Sequence, residues 1–300
     1  MTTTLVALAS LIVAIMLMAC GLYVFFTRRF LRRLRAHAIY SQSPHSDQWG
    51  IGFAYVSAED EYLAKLRKAY RLSDIAGEGT DQERAIRLMR WVHGLTRHAI
   101  NPSTPKDLSA LNLIRLCQQE GKRINCWMYS IILNECLLSL GIPSRMVHLL
   151  PLKERPNESH FVVAVYVRES MQWIMIDPDM RGYFMDEQDN ILGVAQIRKR
   201  LIAGGILHVS EELDLQGAQW LPRCVLTSLY RAYISKNLIR VACPQHSGLR
   251  GVDGASPQIT YELIPDKYHR EWLKQPRIST HGNARVYVND EELFWQAPFV

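Results

Sequence analysis

The sequence predicts an α+β fold in which helices pack on an antiparallel sheet, preceded by one transmembrane helix. Three observations predict this. An uncharged apolar run of 22 residues, Leu5 to Phe26, opens the chain. Amphipathic helical patterns then dominate residues 57–140. Three β-branched and aromatic runs follow close together, Arg145–Leu150, His160–Val167 and Gln172–Ile176. Helices first and strands afterwards is the order of an α+β domain, not the strict alternation of an α/β one.

At about 1.5 Å per residue, a helix from Leu5 to Phe26 is long enough for the roughly 30 Å hydrocarbon core. Five arginines follow it at once: Arg28, Arg29, Arg32, Arg33 and Arg35. Such a block favours the cytoplasmic side and meets anionic lipid headgroups. A single-pass membrane protein with a cytoplasmic globular part is therefore expected, with a periplasmic or extracellular part as the alternative. The whole chain has 35 Lys+Arg against 29 Asp+Glu, a net charge of +6. Five of those charges are the arginine block, so the remainder is nearly neutral. No basic face for nucleic acid is expected on the globular part.

Within that part, Ser57 to Leu72 runs from acidic (Glu59, Asp60, Glu61) to basic, the order a helix dipole favours. Thr80-x-x-Glu83 is a capping box, and Ile86, Met89, Trp91, Val92 and Leu95 form the apolar stripe of the helix it starts. Ser109 to Glu120 is a further helix stopped by Gly121. Trp127 to Leu140 is another, apolar nearly throughout and stopped by Gly141 and Pro143. The three strands come next, then a helix over Val194–Ala203 closed by Gly204-Gly205. Beyond residue 206 the patterns predict a helix from Leu221 to Leu238, a strand at Ile259–Ile264 and a hairpin near Asn289-Asp290. The expected divisions are 1–27 (anchor), 28–56 (basic juxtamembrane segment and linker), 57–205 (helix-and-strand domain) and 206–300 (C-terminal extension packed on the core).

Six cysteines are present, with no C-x-x-C pair and no accompanying histidine cluster, so no metal site and no cofactor are expected. One thiol stands apart. Cys126 opens a buried helix directly after a polar loop, where the positive end of the dipole favours a thiolate. A nucleophilic thiol needs a base and a group to orient that base. His160 opens one strand, and Asp177 ends the next. If those strands are antiparallel neighbours, both side chains reach the same sheet edge, against which the Cys126 helix can dock. The backbone N–H of Cys126 is the first candidate for an oxyanion donor. The Asn125 amide is the second, with a plain helix cap as its alternative role. Arg145 is expected to tie the Gly141-Ile142-Pro143 turn to the helix.

Gly121-x-x-x-x-Cys126-Trp127, Gly141-Ile142-Pro143-Ser144-Arg145, His160-Phe161-Val162-Val163 and Trp173-Ile174-x-x-Asp177-Pro178 resemble the pattern of the transglutaminase-like superfamily. The resemblance covers roughly residues 80–205. It implies a cysteine-protease-like α+β fold and a papain-like triad of Cys126 as nucleophile, His160 as base and Asp177 as orienter. Two positions depart from the family pattern: Ile124-Asn125 stands where a glycine often precedes the cysteine, and Val162 stands where an aromatic often follows the histidine. The expected function is thiol-dependent acyl transfer on an amide or peptide substrate. Hydrolysis is favoured over cross-linking, because an amine acceptor site must be built whereas water is always present. The alternative is an inactive binding or scaffold module.

Overall fold

The computed structural model describes residues 27–40, 51–153, 158–248, 258–266, 277–278 and 284–298. Residues 27–36 form α1. Strand β1 (Ala54–Tyr55) leads into five helices, α2 (Glu61–Ala69), α3 (Leu72–Ala76), α4 (Asp81–His93), α5 (Ala110–Glu120) and α6 (Cys126–Ser139). Strands β2 (Ser144–Leu150), β3 (His160–Val167) and β4 (Gln172–Ile176) follow, then β5 (Phe184–Met185), α7 (Val194–Ala203), β6 (His208–Val209) and α8 (Arg223–Asn237). The chain continues with β7 (Arg240–Pro244), β8 (His246–Ser247), β9 (Ile259–Leu263), β10 (Arg277–Ile278), β11 (Ala284–Val288) and α9 (Glu291–Phe294).

Local chemistry accounts for the helix ends. The capping box is formed: Thr80 Oγ1 accepts from the Glu83 N–H at 3.3 Å, and Glu83 Oε2 accepts from the Thr80 N–H at 2.9 Å. Asp60 caps α2 and Ser109 caps α5. Gly121 ends α5 with φ +62°, a left-handed conformation that costs glycine little. Helix α6 is buried on all sides from Met128 to Ser139. It lies between α2, α4 and α5 on one side and β2 and β3 on the other, which is why its sequence lacks a polar face.

The principal sheet has seven strands in the order β10-β11-β9-β7-β2-β3-β4. Both faces are covered, so the pleat sorts alternate residues into two cores. Val163, Val165, Val167, Ile174 and Ile176 face α2 to α6. Val162, Ala164, Tyr166, Trp173 and Met175 face the core that holds α7, α8 and Phe294. Gly193, ahead of α7, sits so close to the Trp173 carbonyl that a Cβ there would lie 2.4 Å from the oxygen. No larger residue fits that helix entry.

The structure corrects three expectations. The sheet is mixed, not antiparallel, because β11 pairs parallel with β9. After β9 the chain skips one position, returns as β10 and then fills the gap as β11, which restores the β9 direction. The hairpin expected at Asn289-Asp290 is instead a helix start, where Asp290 Oδ1 accepts from the Leu293 N–H at 2.9 Å. Third, among the described residues no helix is long and apolar enough to cross a membrane. The most apolar helix, α6, has 14 residues and reaches only about 21 Å. The longest with stated ends, α8, has 15 residues and carries Arg223, Arg231 and Lys236. Among the described residues the fold is therefore α+β without a spanning helix, and single-pass membrane localisation is not supported. The run Leu5–Phe26 lies outside the described residues.

Helix α1, expected to border a membrane, is fastened to the globular body. Leu34 is wholly buried in the α7–α8 core. Arg35 Nε donates to the Ile202 carbonyl at 2.9 Å. The buried Arg198 donates to the His37 and Ala38 carbonyls, and its guanidinium lies 4.0 Å from the centre of the Tyr40 ring.

Arg145 also differs from its expected role. Its pleat position, opposite Ala164, turns it toward the α8 side of the sheet and away from α6. Its guanidinium is stacked 4.1 Å from the Phe53 ring centre and 4.2 Å from that of Trp173, and Nη1 donates to the Phe294 carbonyl at 3.0 Å. The side chain is structural: it joins β2 to the C-terminal α9 turn.

Candidate active site

Strand register builds the site. Strands β3 and β4 pair antiparallel with Val163 opposite Ile176. Continuing that register sets Asp177 opposite Val162, two residues inward from His160 and on the same face. The two side chains meet: the hydrogen bond between His160 Nε2 and Asp177 Oδ2 is 2.6 Å, with both residues essentially inaccessible. Asp177 Oδ1 accepts from the backbone N–H groups of Asp179 and Met180, each at 3.1 Å, as the chain turns after Pro178. That carboxylate is therefore fixed before it meets the imidazole.

Cys126 is the first residue of α6, and its side chain is partly exposed whereas the helix behind it is buried. Cys126 Sγ and a ring nitrogen of His160 lie within 4.8 Å of each other. Since Nε2 is engaged by Asp177, Nδ1 is the ring nitrogen left for the thiol. Asn125 caps α6, its Oδ1 accepting from the Met128 N–H at 3.2 Å. The Cys126 N–H lies ahead of the first intrahelical acceptor, as helix-start amides do. Trp127 Nε1, on the residue after Cys126, is buried without a hydrogen-bond partner.

Burial alone would push the His160 imidazole to a lower pKa. The facing Asp177 carboxylate overrides that effect, and the group is raised well above the ordinary histidine value.

Three groups at the site were not anticipated from sequence. Helix α8 lays Tyr230 and Tyr233, three residues apart on one helix face, over the His160–Asp177 pair. The Tyr230 hydroxyl donates to Asp177 Oδ2 at 3.2 Å. The Tyr233 ring meets the His160 ring edge-on, with centroids 5.1 Å apart, and its hydroxyl donates to the Ser159 carbonyl at 3.2 Å. Burial pushes both phenols up, so they remain protonated donors. The third is Asp179. One of its carboxylate oxygens, Cys126 Sγ and a ring nitrogen of His160 all lie within 4.8 Å of one another. Asp179 Oδ1 is also 2.9 Å from His98 Nδ1. The signal for Asp179 was the repeat of an acid two residues after Asp177. The tyrosines had none, because their placement depends on how α8 packs.

A cavity of about 420 Å³, whose lining includes Arg29, Arg33, Lys153, Glu158 and Lys236, opens next to the segment that leads into β3. None of Cys126, His160 or Asp177 lines it, so the thiol is not at its floor.

Residues 69–178 match the family model of the transglutaminase-like superfamily. Over that segment the chain is similar to the transglutaminase-like superfamily. Cys126, His160 and Asp177 all fall inside the matched segment; Asp179, Tyr230 and Tyr233 fall outside it. Among solved structures, the chain is similar to a candidate cysteine protease from Cytophaga hutchinsonii, at 14% identity and a TM-score of 0.33. That alignment covers 53% of this chain and 57% of the other. A candidate protease from Parabacteroides distasonis is similar at 13% identity and a TM-score of 0.24, covering 39% of this chain and 29% of the other. The chain thus spans less than two thirds of either of those proteins. No curated protein compared with the chain matches it.

Proposed function

We propose that this protein is a thiol-dependent acyl-transfer enzyme that cleaves amide or peptide bonds. The similarity to the transglutaminase-like superfamily supports a thiol enzyme. One observation carries the proposal: a His160 ring nitrogen lies within 4.8 Å of the Cys126 sulfur, and the same ring is hydrogen-bonded to a carboxylate that is itself fixed by two backbone amides. This is the arrangement a nucleophile, its base and an orienting acid require.

In the proposed reaction His160 takes the Cys126 proton, and the sulfur attacks the substrate carbonyl carbon. The resulting oxyanion is received by the Cys126 N–H, with the Asn125 amide nitrogen as second donor. His160 then protonates the leaving amine, the carbon–nitrogen bond breaks and a thioester remains. Water, deprotonated by His160, cleaves the thioester to an acid and restores the thiol. An amine in place of water would give cross-linking; hydrolysis is favoured because water is always present whereas an amine acceptor site must be built. The substrate is proposed to be a peptide or protein.

The test is alkylation with an electrophilic thiol probe, mapped by mass spectrometry because Cys224 is exposed and also reacts. Selective modification of Cys126, lost in Cys126→Ala and slowed in His160→Ala, is the expected result. Cys126 labelling no faster than Cys224, and unaffected by His160→Ala, would refute the proposal. A folded chain with that outcome and no turnover of a peptide library would be a binding module.

A further inference from the structure

Asp177 already orients the imidazole, so the buried Asp179 carboxylate, within 4.8 Å of Cys126 Sγ and of a His160 ring nitrogen, is a further group at the site. Three different donor types converge there from separate elements. We propose that Cys126, His160 and Asp179 form a Zn²⁺ site that reversibly blocks the nucleophile.

The donor set fits. Thiolate, imidazole and carboxylate are the ligand types zinc takes, at about 2.3 Å for sulfur and about 2.0–2.2 Å for nitrogen and oxygen. Tetrahedral geometry then needs donor separations of about 3.6 Å. The three donor atoms lie within 4.8 Å of one another, so inward movements of roughly 1 Å close the set. Three protein ligands leave a fourth position for water.

The outer partners are also in place. Asp177 holds His160 at Nε2, which directs the Nδ1 lone pair to the metal, the carboxylate–histidine–metal relay of zinc proteins. His98 Nδ1 likewise holds Asp179. The ligands come from the start of α6, the start of β3 and the turn after β4, 34 and 19 residues apart. No local spacing motif could announce such a site, which is why sequence reading expected no metal. Coordination displaces the thiol proton to solvent and occupies the sulfur lone pair that would attack a carbonyl. The blocking consequence rests on the reading of Cys126 as nucleophile; the binding site does not.

The test uses the full chain stripped with a chelator. Zn²⁺ is titrated against a chromophoric competitor, and Co²⁺ serves as a spectroscopic probe. One equivalent of metal per chain, a thiolate-to-cobalt charge-transfer band and protection of Cys126 from alkylation, reversed by chelator, are expected. Cys126→Ser loses the band. Asp179→Asn and His98→Gln each weaken zinc at least about tenfold; His98 is partly exposed, so its variant tests the site even if Asp179→Asn does not fold. Zinc affinity equal to wild type in both of those variants overturns the proposal, as does unchanged Cys126 alkylation at saturating zinc. Selective alkylation without zinc binding sinks the metal site and leaves acyl transfer standing. Zinc bound at these ligands with a thiol inert in its absence has the opposite meaning.

Discussion

Glu135 lies in the middle of α6, wholly enclosed, on the helix that presents Cys126. Its carboxyl accepts from the Tyr62 hydroxyl and from the N–H of Ala110, the first residue of α5. Burial is the larger influence and pushes the group up from 4.5 to about 7, against the lowering effect of those two donors. The folded protein therefore holds this proton more tightly than the unfolded chain. Between pH 4.5 and about 7 unfolding releases a proton, so this residue's contribution to stability is full at low pH and lost as pH rises through about 7. A change of that size corresponds to about 3 kcal/mol. Glutamine has the shape and the accepting oxygen of the protonated acid but cannot ionise. Glu135→Gln should match wild type in stability near pH 4.5 and exceed it by about 3 kcal/mol above pH 8. Urea unfolding of both proteins across that range measures the difference, and other titrating groups cancel in the comparison. A difference that stays flat with pH would refute the reasoning.

Replacing Asp177 with Asn removes the charge that keeps His160 basic; turnover should fall about 10²- to 10⁴-fold while Cys126 remains available to alkylation, as steady-state kinetics and probe labelling would show. Arg145→Lys substitutes a point charge for a plane stacked between Phe53 and Trp173 and should cost about 2 kcal/mol in denaturant unfolding. Asn125→Ala removes the α6 cap and should cost about 1 kcal/mol, whereas Asn125→Asp keeps a capping oxygen and should retain wild-type stability by the same measurement.

What the sequence made legible follows the range of the interactions concerned. The Thr80–Glu83 capping box, the Gly121 and Gly141 stops and the three consecutive strands are written in neighbouring residues, and each forms close to its expected place. The meeting of His160 with Asp177 was readable because short-linked antiparallel strands bring their ends together. Strand β7 was missed: five residues ending in proline, immediately after a helix, give almost no alternation to read. The parallel β9–β11 pair depends on a skipped position in the sheet, and no local pattern encodes a skip. Arg145 was assigned to the wrong side because its partners, Phe53 and Phe294, are far away in both directions along the chain. Asp179 and the two tyrosines belong to the same class. Their contacts with the site are tertiary, so chemistry-bearing residues could be named from sequence while the groups surrounding them could not.

The placement of α8 over the His160–Asp177 pair has one more implication. A fragment trimmed to residues 69–178 would retain Cys126, His160 and Asp177, yet it would open the imidazole and its acid to bulk water. The proposed reactive centre is thus not a portable cassette. Whatever alters the seating of the distal third of the polypeptide changes the surroundings of the His160 imidazole.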